Sequence, residues 1–274
     1  MILCIYHATC ADGFGAAWVV KKALPEAEFH PGVYQEPPPD VADRDVVLVD
    51  FSYKRQTLLA MAGKARSILI LDHHKTSADD LMDLPDNITT VFDARYSGVM
   101  LAWRHYFPDT QPPPLVEHIQ DRDLWRFALP GTREILACVF SYPYAFDTWD
   151  LLMARGIETL RYEGEILERK HHKDVAEIVR ETKRRMVIGG FDVPVANTPH
   201  AMSSDAGHLM DQCEPFAACY HDTAKGRVFS LRSNDSGLDV SAVAKIYGGG
   251  GNKNAAGFRV SFTHPLARNE QGDV

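Results

Sequence analysis

The chain has 274 residues, 45% hydrophobic and 24% charged, with a formal net charge of −8. That composition is ordinary for a soluble globular protein, and the length can bury a core as one large domain or two modest ones. The acidic balance argues against a broad basic surface, so tight, sequence-blind binding of long duplex nucleic acid is not expected. Five cysteines, an odd number with no CxxC pair, fit a reducing cytosol better than a disulfide framework. The sequence opens on an apolar strand at Met1 without a basic n-region, and no apolar stretch is long enough to span a membrane. A cytoplasmic protein without a membrane partner is expected.

In chain order, the apolar run from Met1 to Tyr6 leads into His7, followed by Cys10, Asp12 and Gly13. Gly13 to Leu24 reads as the first helix, stopped by Pro25. Val46 to Val49 leads into Asp50, and Ser67-Ile68-Leu69-Ile70-Leu71 leads into Asp72-His73-His74. Each run has the texture of a buried parallel strand, and the loops at the carboxyl ends of such strands are where open α/β sheets place their ligands. Three neighbouring strand tips would gather His7, Asp12, Asp50, Asp72, His73 and His74 on one rim. Carboxylates and imidazoles so clustered are the donor set of a divalent-metal site. Taken singly, each has a plainer reading. Asp72 could cap a helix whose start is suggested by Ser77 and Asp79-Asp80, but the conjunction favours metal.

Asp93 with Ser97-Gly98 reads as a helix cap and turn, with Ser97 a candidate substrate contact. Residues 132 to 185 read as helical. In the charged stretch from Glu158 to Arg185, residues Leu160, Ile166, Leu167, Val175, Ile178 and Val179 mark one apolar stripe. His171 and His172 there are expected to be solvated. From residue 186 the texture changes. Gly189-Gly190 and Thr223-Ala224-Lys225-Gly226 each lie between short apolar runs, which signals two hairpins. A helix near 240–247, a glycine-rich segment and a strand near 258–262 complete a small α+β domain, and the tail from Leu266 reads as frayed. The expected organisation is α/β: a parallel-sheet domain over 1–130, a helical connector over 131–185 and a smaller domain over 186–274.

Asp72-His73-His74 resembles the signature of the DHH phosphoesterase superfamily. Its members include RecJ-like exonucleases, nanoRNases, cyclic-dinucleotide phosphodiesterases and family II pyrophosphatases. His7 to Ala17 (HATCADGFGAA) resembles the family's first motif and Val49-Asp50 its second. Ile119-Gln120-Asp121-Arg122-Asp123 stands where the last metal-binding Asp is expected, and Gly248 to Gly257 (GGGGNKNAAG) resembles the glycine-rich loop of the DHH-associated substrate domain. The resemblance implies two manganese ions, with His7 and Asp12 on opposite metals, Asp50 bridging them, and His73 and Asp121 completing the ligands of the second metal. It places His74 against the scissile phosphate and Asp72 behind the histidines. Asp123 is left to cap the helix or pair with Arg122 or Arg126. Substrate phosphate is expected to be held by the backbone of Gly249, Gly250 and Gly251 with Asn252 and Lys253, and by a bidentate contact from Arg232, whose plainer reading is a surface salt bridge.

Two departures stand out. Cys10 occupies the usual place of an Asp, where its thiolate would favour zinc or iron, unless it is simply a small packed residue. Asn252 stands where the family usually has His, keeping hydrogen bonding without charge. Carboxylate and imidazole donors suit Mn2+, Mg2+, Zn2+ and Fe2+ alike, so geometry and supply decide among them. The favoured reading is a metal-dependent phosphodiesterase for small nucleotides, dinucleotides or short oligonucleotides. The alternatives are an exopolyphosphatase- or pyrophosphatase-like hydrolase, or a non-catalytic nucleotide-binding module. The oligomeric state stays open, a homodimer included.

Overall fold

The computed structural model describes residues 1–268 apart from Thr9 and Asp79. The helix start expected at Asp79, and the part of the tail beyond Arg268, lie outside the described residues. The chain divides into two compact units, 1–168 and 169–274.

The first unit is built on five parallel strands, β1 (Ile2–His7), β2 (Glu28–Gly32), β3 (Asp45–Val49), β4 (Ser67–Asp72) and β5 (Ile88–Phe92), in the order β2-β1-β3-β4-β5. The three central strands are the ones that the apolar runs predict. Ile5, Leu48, Val49, Ile70 and Leu71 are fully buried, as strands covered on both faces must be. Register decides what happens at their ends. Tyr6, Val49, Leu71 and Val91 stand in one row across the sheet, so the next residues, His7, Asp50 and Asp72, emerge abreast on adjacent strands.

The helices of the chain are α1 (Ala11–Ala23), α2 (Arg55–Ala62), α3 (Lys75–Ala78), α4 (Gly98–Tyr106), α5 (Pro114–Asp123), α6 (Thr132–Phe140), α7 (Phe146–Ala154), α8 (Ile157–Thr182), α9 (Ser203–Met210) and α10 (Val240–Ile246). Phe14, Val19, Val99, Leu115, Ile135, Leu136, Trp149 and Leu160 form one core with Cys4, Val47 and Leu71 on one face of the sheet. Leu58 and Met61 cover the other face with Ile5, Leu48 and Ile70. The helices after residue 130, expected to form a connector, therefore pack into the first unit as far as Glu168. The charged stretch is α8, with Leu160, Val175 and Val179 buried on its apolar stripe.

The second unit carries a six-stranded sheet, β6 (Arg184–Ile188), β7 (Phe191–Asn197), β8 (Ala217–Thr223), β9 (Gly226–Arg232), β10 (Gly250–Gly251) and β11 (Ala255–Val260), in the order β10-β11-β9-β8-β7-β6. Only the β7–β8 pairing is parallel. Both predicted hairpins are present, as β6–β7 and β8–β9. Gly189 and Gly190 take φ of +59° and +87°, the left-handed pair that a two-residue hairpin turn requires. Phe216, Phe229, Leu231, Val243 and Phe258 fill the core. Among the described residues, no helix is long and apolar enough to cross a membrane.

Candidate metal centre

Asp50 is the centre of the rim. It is 1% exposed and sits at φ +52°, a left-handed conformation that Asp tolerates better than most residues but that still marks a constrained position. His7 Nδ1 lies 3.3 Å from Asp50 Oδ2, and His73 Nε2 lies 3.0 Å from Asp50 Oδ1. Two sets of ligand atoms converge there, His7–Asp50–His74 and Asp12–Asp50–His73, each with its atoms within 4.8 Å of one another. Asp50 belongs to both. His74 Nδ1 meets Asp72 Oδ1 at 2.8 Å and lies 3.9 Å from Asp50 Oδ1. Asp72 Oδ1 also accepts the backbone N–H groups of His73 and His74 at 2.8 and 3.2 Å, so the carboxylate shapes the turn that carries both rings.

Asp12 enters from the first turn of α1. Its Oδ1 accepts the Val99 N–H at 3.0 Å and its Oδ2 accepts the Gly98 N–H. Ser97 provides no side-chain cap to α4, and Asp12 satisfies those first donors instead. Each Asp12 oxygen keeps a second lone pair for a cation. Two glycines make the approach feasible. A Cβ on Gly13 would overlap the His7 carbonyl, and one on Gly98 would overlap Asp50 and lie 2.9 Å from Asp12 Oδ2.

Burial and mutual repulsion shape the charges of the cluster. Burial opposes charge on Asp50, but hydrogen bonds from His7 and His73 and the charge of His74 hold its pKa far below the usual carboxylate range. Burial and the neighbouring Asp123 and Asp50 push Asp12 well up, against the pull of His73. Asp123 is likewise raised, by burial first and then by Asp50, against the larger pull of His73. Burial opposes a proton on His73, yet Asp50, Asp123 and Asp12 bring its pKa to about 10. Four carboxylates thus face three imidazoles, an excess of acidic groups that raises Asp12 and Asp123. A divalent cation would offset that excess, so the donor set fits the ions that the resemblance implies.

The structure departs from the sequence reading at several positions. Asp121, expected as a metal ligand, belongs to neither ligand set. Its Oδ1 accepts the Ala128 N–H at 2.9 Å, while its Oδ2 accepts the Leu129 N–H at 3.1 Å and the Thr132 hydroxyl at 2.6 Å. It therefore ties down the loop after α5. Asp123 lies at the rim instead, with Oδ2 at 3.6 Å from His73 Nε2. His74, expected to face substrate, is a member of one ligand set. Ser97 is fully buried and offers no surface to a substrate. Cys10 precedes α1, its carbonyl accepting the Phe14 N–H. Burial and the carboxylates of Asp50, Asp123 and Asp12 push its thiol well up, and it belongs to neither ligand set. Tyr34 was missed by the sequence reading. It is 42% exposed, and its ring lies 5.3 Å from His7 and 6.3 Å from His74.

In the second unit, the glycine-rich segment is ordered by its own backbone. The Gly248 and Gly249 N–H groups close α10 on the carbonyls of Lys245 and Ala244, and Gly250 and Gly251 pair with Gly257 and Ala256. These glycines permit close strand approach, since a Cβ on Gly249 would overlap the Gly257 carbonyl. The Asn252 N–H donates to Ala255 O at 2.8 Å, and Lys253 Nζ donates to Asp235 O at 3.0 Å. Arg232 ends β9 opposite Ala255, with its guanidinium donating to Ser204 Oγ at 2.9 Å and Leu231 O at 2.8 Å. His171, expected to be solvated, meets Asp205 at 3.0 Å.

No family model matches the sequence. An uncharacterised protein of Acanthamoeba polyphaga mimivirus is 28% identical over 94% of this chain and 67% of that protein. A pGpG-specific phosphodiesterase from Vibrio cholerae superposes with a TM-score of 0.51 at 14% identity, covering 96% of this chain and 94% of that one. This chain shares its fold. An exopolyphosphatase-related protein from Bacteroides fragilis superposes with a TM-score of 0.48 at 14% identity, over 97% of this chain and 88% of that one.

Proposed function

We propose that the chain is a DHH-type, divalent-metal-dependent phosphoesterase that hydrolyses phosphodiester bonds of small nucleotides, dinucleotides or short oligonucleotides in the cytoplasm. The observation that carries this reading is Asp50, one buried carboxylate common to two ligand sets. A shared carboxylate is what holds two divalent ions at the ~3.5–4 Å spacing of two-metal phosphoryl chemistry. His7 and His74 would hold one ion and Asp12 and His73 the other, with Asp123 adding a carboxylate on the His73 side. When bound, two such ions, manganese by preference, supply an acidified water and neutralise phosphoryl charge.

The chain's own groups do the orienting. Asp72 fixes the His74 ring through Nδ1, the kind of carboxylate–imidazole contact that sets a ligand's tautomer and direction. The backbone of α4 fixes Asp12. In the second unit, Arg232, Gly249, Gly250, Gly251, Asn252 and Lys253 are proposed to bind substrate phosphate, with Arg232 giving a fork-shaped contact.

The assignment of carboxylates has a sharp test. Asp123→Asn should lose bound metal and more than a hundredfold in activity with little change in Tm. Asp121→Asn should keep its metal but lose about 2 kcal/mol of stability, the scale of a hydrogen bond to a charged group. The opposite pattern would return Asp121 to the metal. For the function itself, chelator-treated protein should be inactive on 5′-phosphorylated diadenylate, and manganese should restore turnover. If no dinucleotide or cyclic dinucleotide is hydrolysed with manganese, magnesium, zinc or iron, the phosphodiesterase reading is wrong.

A further inference from the structure

The turn after Asp123 holds two bulky aromatic residues in a conformation that such residues seldom adopt. Trp125 has φ +55° and Phe127 φ +49°, where Cβ crowding disfavours bulky residues. Asp121 keeps them there. Its carbonyl accepts the Arg126 and Phe127 N–H groups at 2.9 and 3.4 Å, and its carboxylate accepts the two N–H groups that follow. Strain of this kind persists where the surroundings impose it, and it concentrates at ligand sites.

The strained turn assembles an aromatic–guanidinium surface. The Arg122 guanidinium lies 4.3 Å from the Trp125 ring centroid, 5.7 Å from Phe127 and 5.9 Å from Phe140. Arg133 lies 3.8 Å from Phe127 and 5.5 Å from Trp125. Trp18, Trp103 and Trp149 are buried, whereas Trp125 is partly exposed, and Phe140 is 47% exposed. Two guanidinium groups thus lie against three aromatic rings, and Arg133 also pairs with Glu168 at 3.8 Å. Asp123, which faces His73, belongs to the same segment.

We propose that Trp125 and Arg122, backed by Phe127, Arg133 and Phe140, form a platform on which a nucleobase of the substrate stacks. Aromatic rings and arginine planes hold unstacked bases through their π-faces, with little dependence on base identity. This rests on the phosphoesterase reading above and narrows it. A substrate carrying a base gains contacts that pyrophosphate and polyphosphate cannot make, so the surface selects nucleotides over inorganic phosphoanhydrides.

Two arms test it on the full chain. Tryptophan fluorescence titrated with adenosine 5′-monophosphate should show saturable quenching that is absent in Trp125→Phe, whereas tripolyphosphate should leave the signal unchanged. In hydrolysis of 5′-phosphorylated diadenylate, Trp125→Ala should raise KM about tenfold, the scale of one base–aromatic stack, with kcat and metal content little changed. Trp125→Phe should restore most of the affinity. No quenching by the monophosphate, or a Trp125→Ala variant with unchanged KM or with kcat lost equally on diadenylate and tripolyphosphate, would overturn the platform. Quenching in a wild-type protein that hydrolyses no phosphodiester would keep the platform and reject the phosphoesterase reading instead.

Discussion

Asp50→Asn is expected to leave less than a thousandth of wild-type kcat, a barrier increase of about 4 kcal/mol or more. The substitution is chosen for its backbone. Asn enters the left-handed region as readily as Asp, so φ of +52° at residue 50 should survive and the fold with it. What is lost is the one charge common to both ligand sets. The side-chain amide cannot offset the repulsion between two divalent ions, and it presents one acceptor oxygen where the carboxylate presents two. Circular dichroism should match the wild type while activity disappears. A variant that keeps more than about a tenth of kcat, a loss under 1.4 kcal/mol, would remove Asp50 from the bridging position.

Gly98→Ala should be nearly as damaging, although residue 98 carries no functional group. The new methyl would overlap Asp50 and lie 2.9 Å from Asp12 Oδ2. The Gly98 N–H also donates to Asp12, so helix α4 cannot retreat without releasing that carboxylate. Forced overpacking of this kind costs about 1–3 kcal/mol in stability, and displacement of both carboxylates should lower activity more than a hundredfold. Gly63→Ala is the matched control. A Cβ there meets nothing closer than 3.8 Å, and its activity and Tm should stay near wild type. Equal behaviour of the two variants would show that the close approach at Gly98 does not matter to the site.

The rim was legible in the sequence because buried parallel strands are read as unbroken apolar runs, and their ends fall in register. Val46–Val49 and Ser67–Leu71 could be located without a structure, and so could the polar residues that follow them. The choice between Asp121 and Asp123 could not be made this way. Two residues apart on one helix, their side chains point about 200° from each other, and only the packed loop shows which faces the histidines. The backbone N–H groups of Ala128 and Leu129 that capture Asp121 leave no signature in a residue pattern. Tyr34 follows the edge strand β2, whose sequence Glu28-Phe29-His30-Pro31-Gly32 lacks an apolar run. Gly248 to Gly251 read as a flexible segment, since a glycine run looks the same whether it flexes or, as here, permits close strand pairing. The β6–β7 hairpin was visible because a left-handed glycine pair leaves few other turns available.

The central claim is that one carboxylate serves two metal ions, and metal stoichiometry tests it most directly. Chelator-treated wild type and Asp50→Asn, dialysed to equilibrium against manganese and measured by elemental analysis, should bind two ions per chain and fewer than one, respectively. A wild type that binds a single ion, or an Asp50→Asn variant that still binds two, would contradict it.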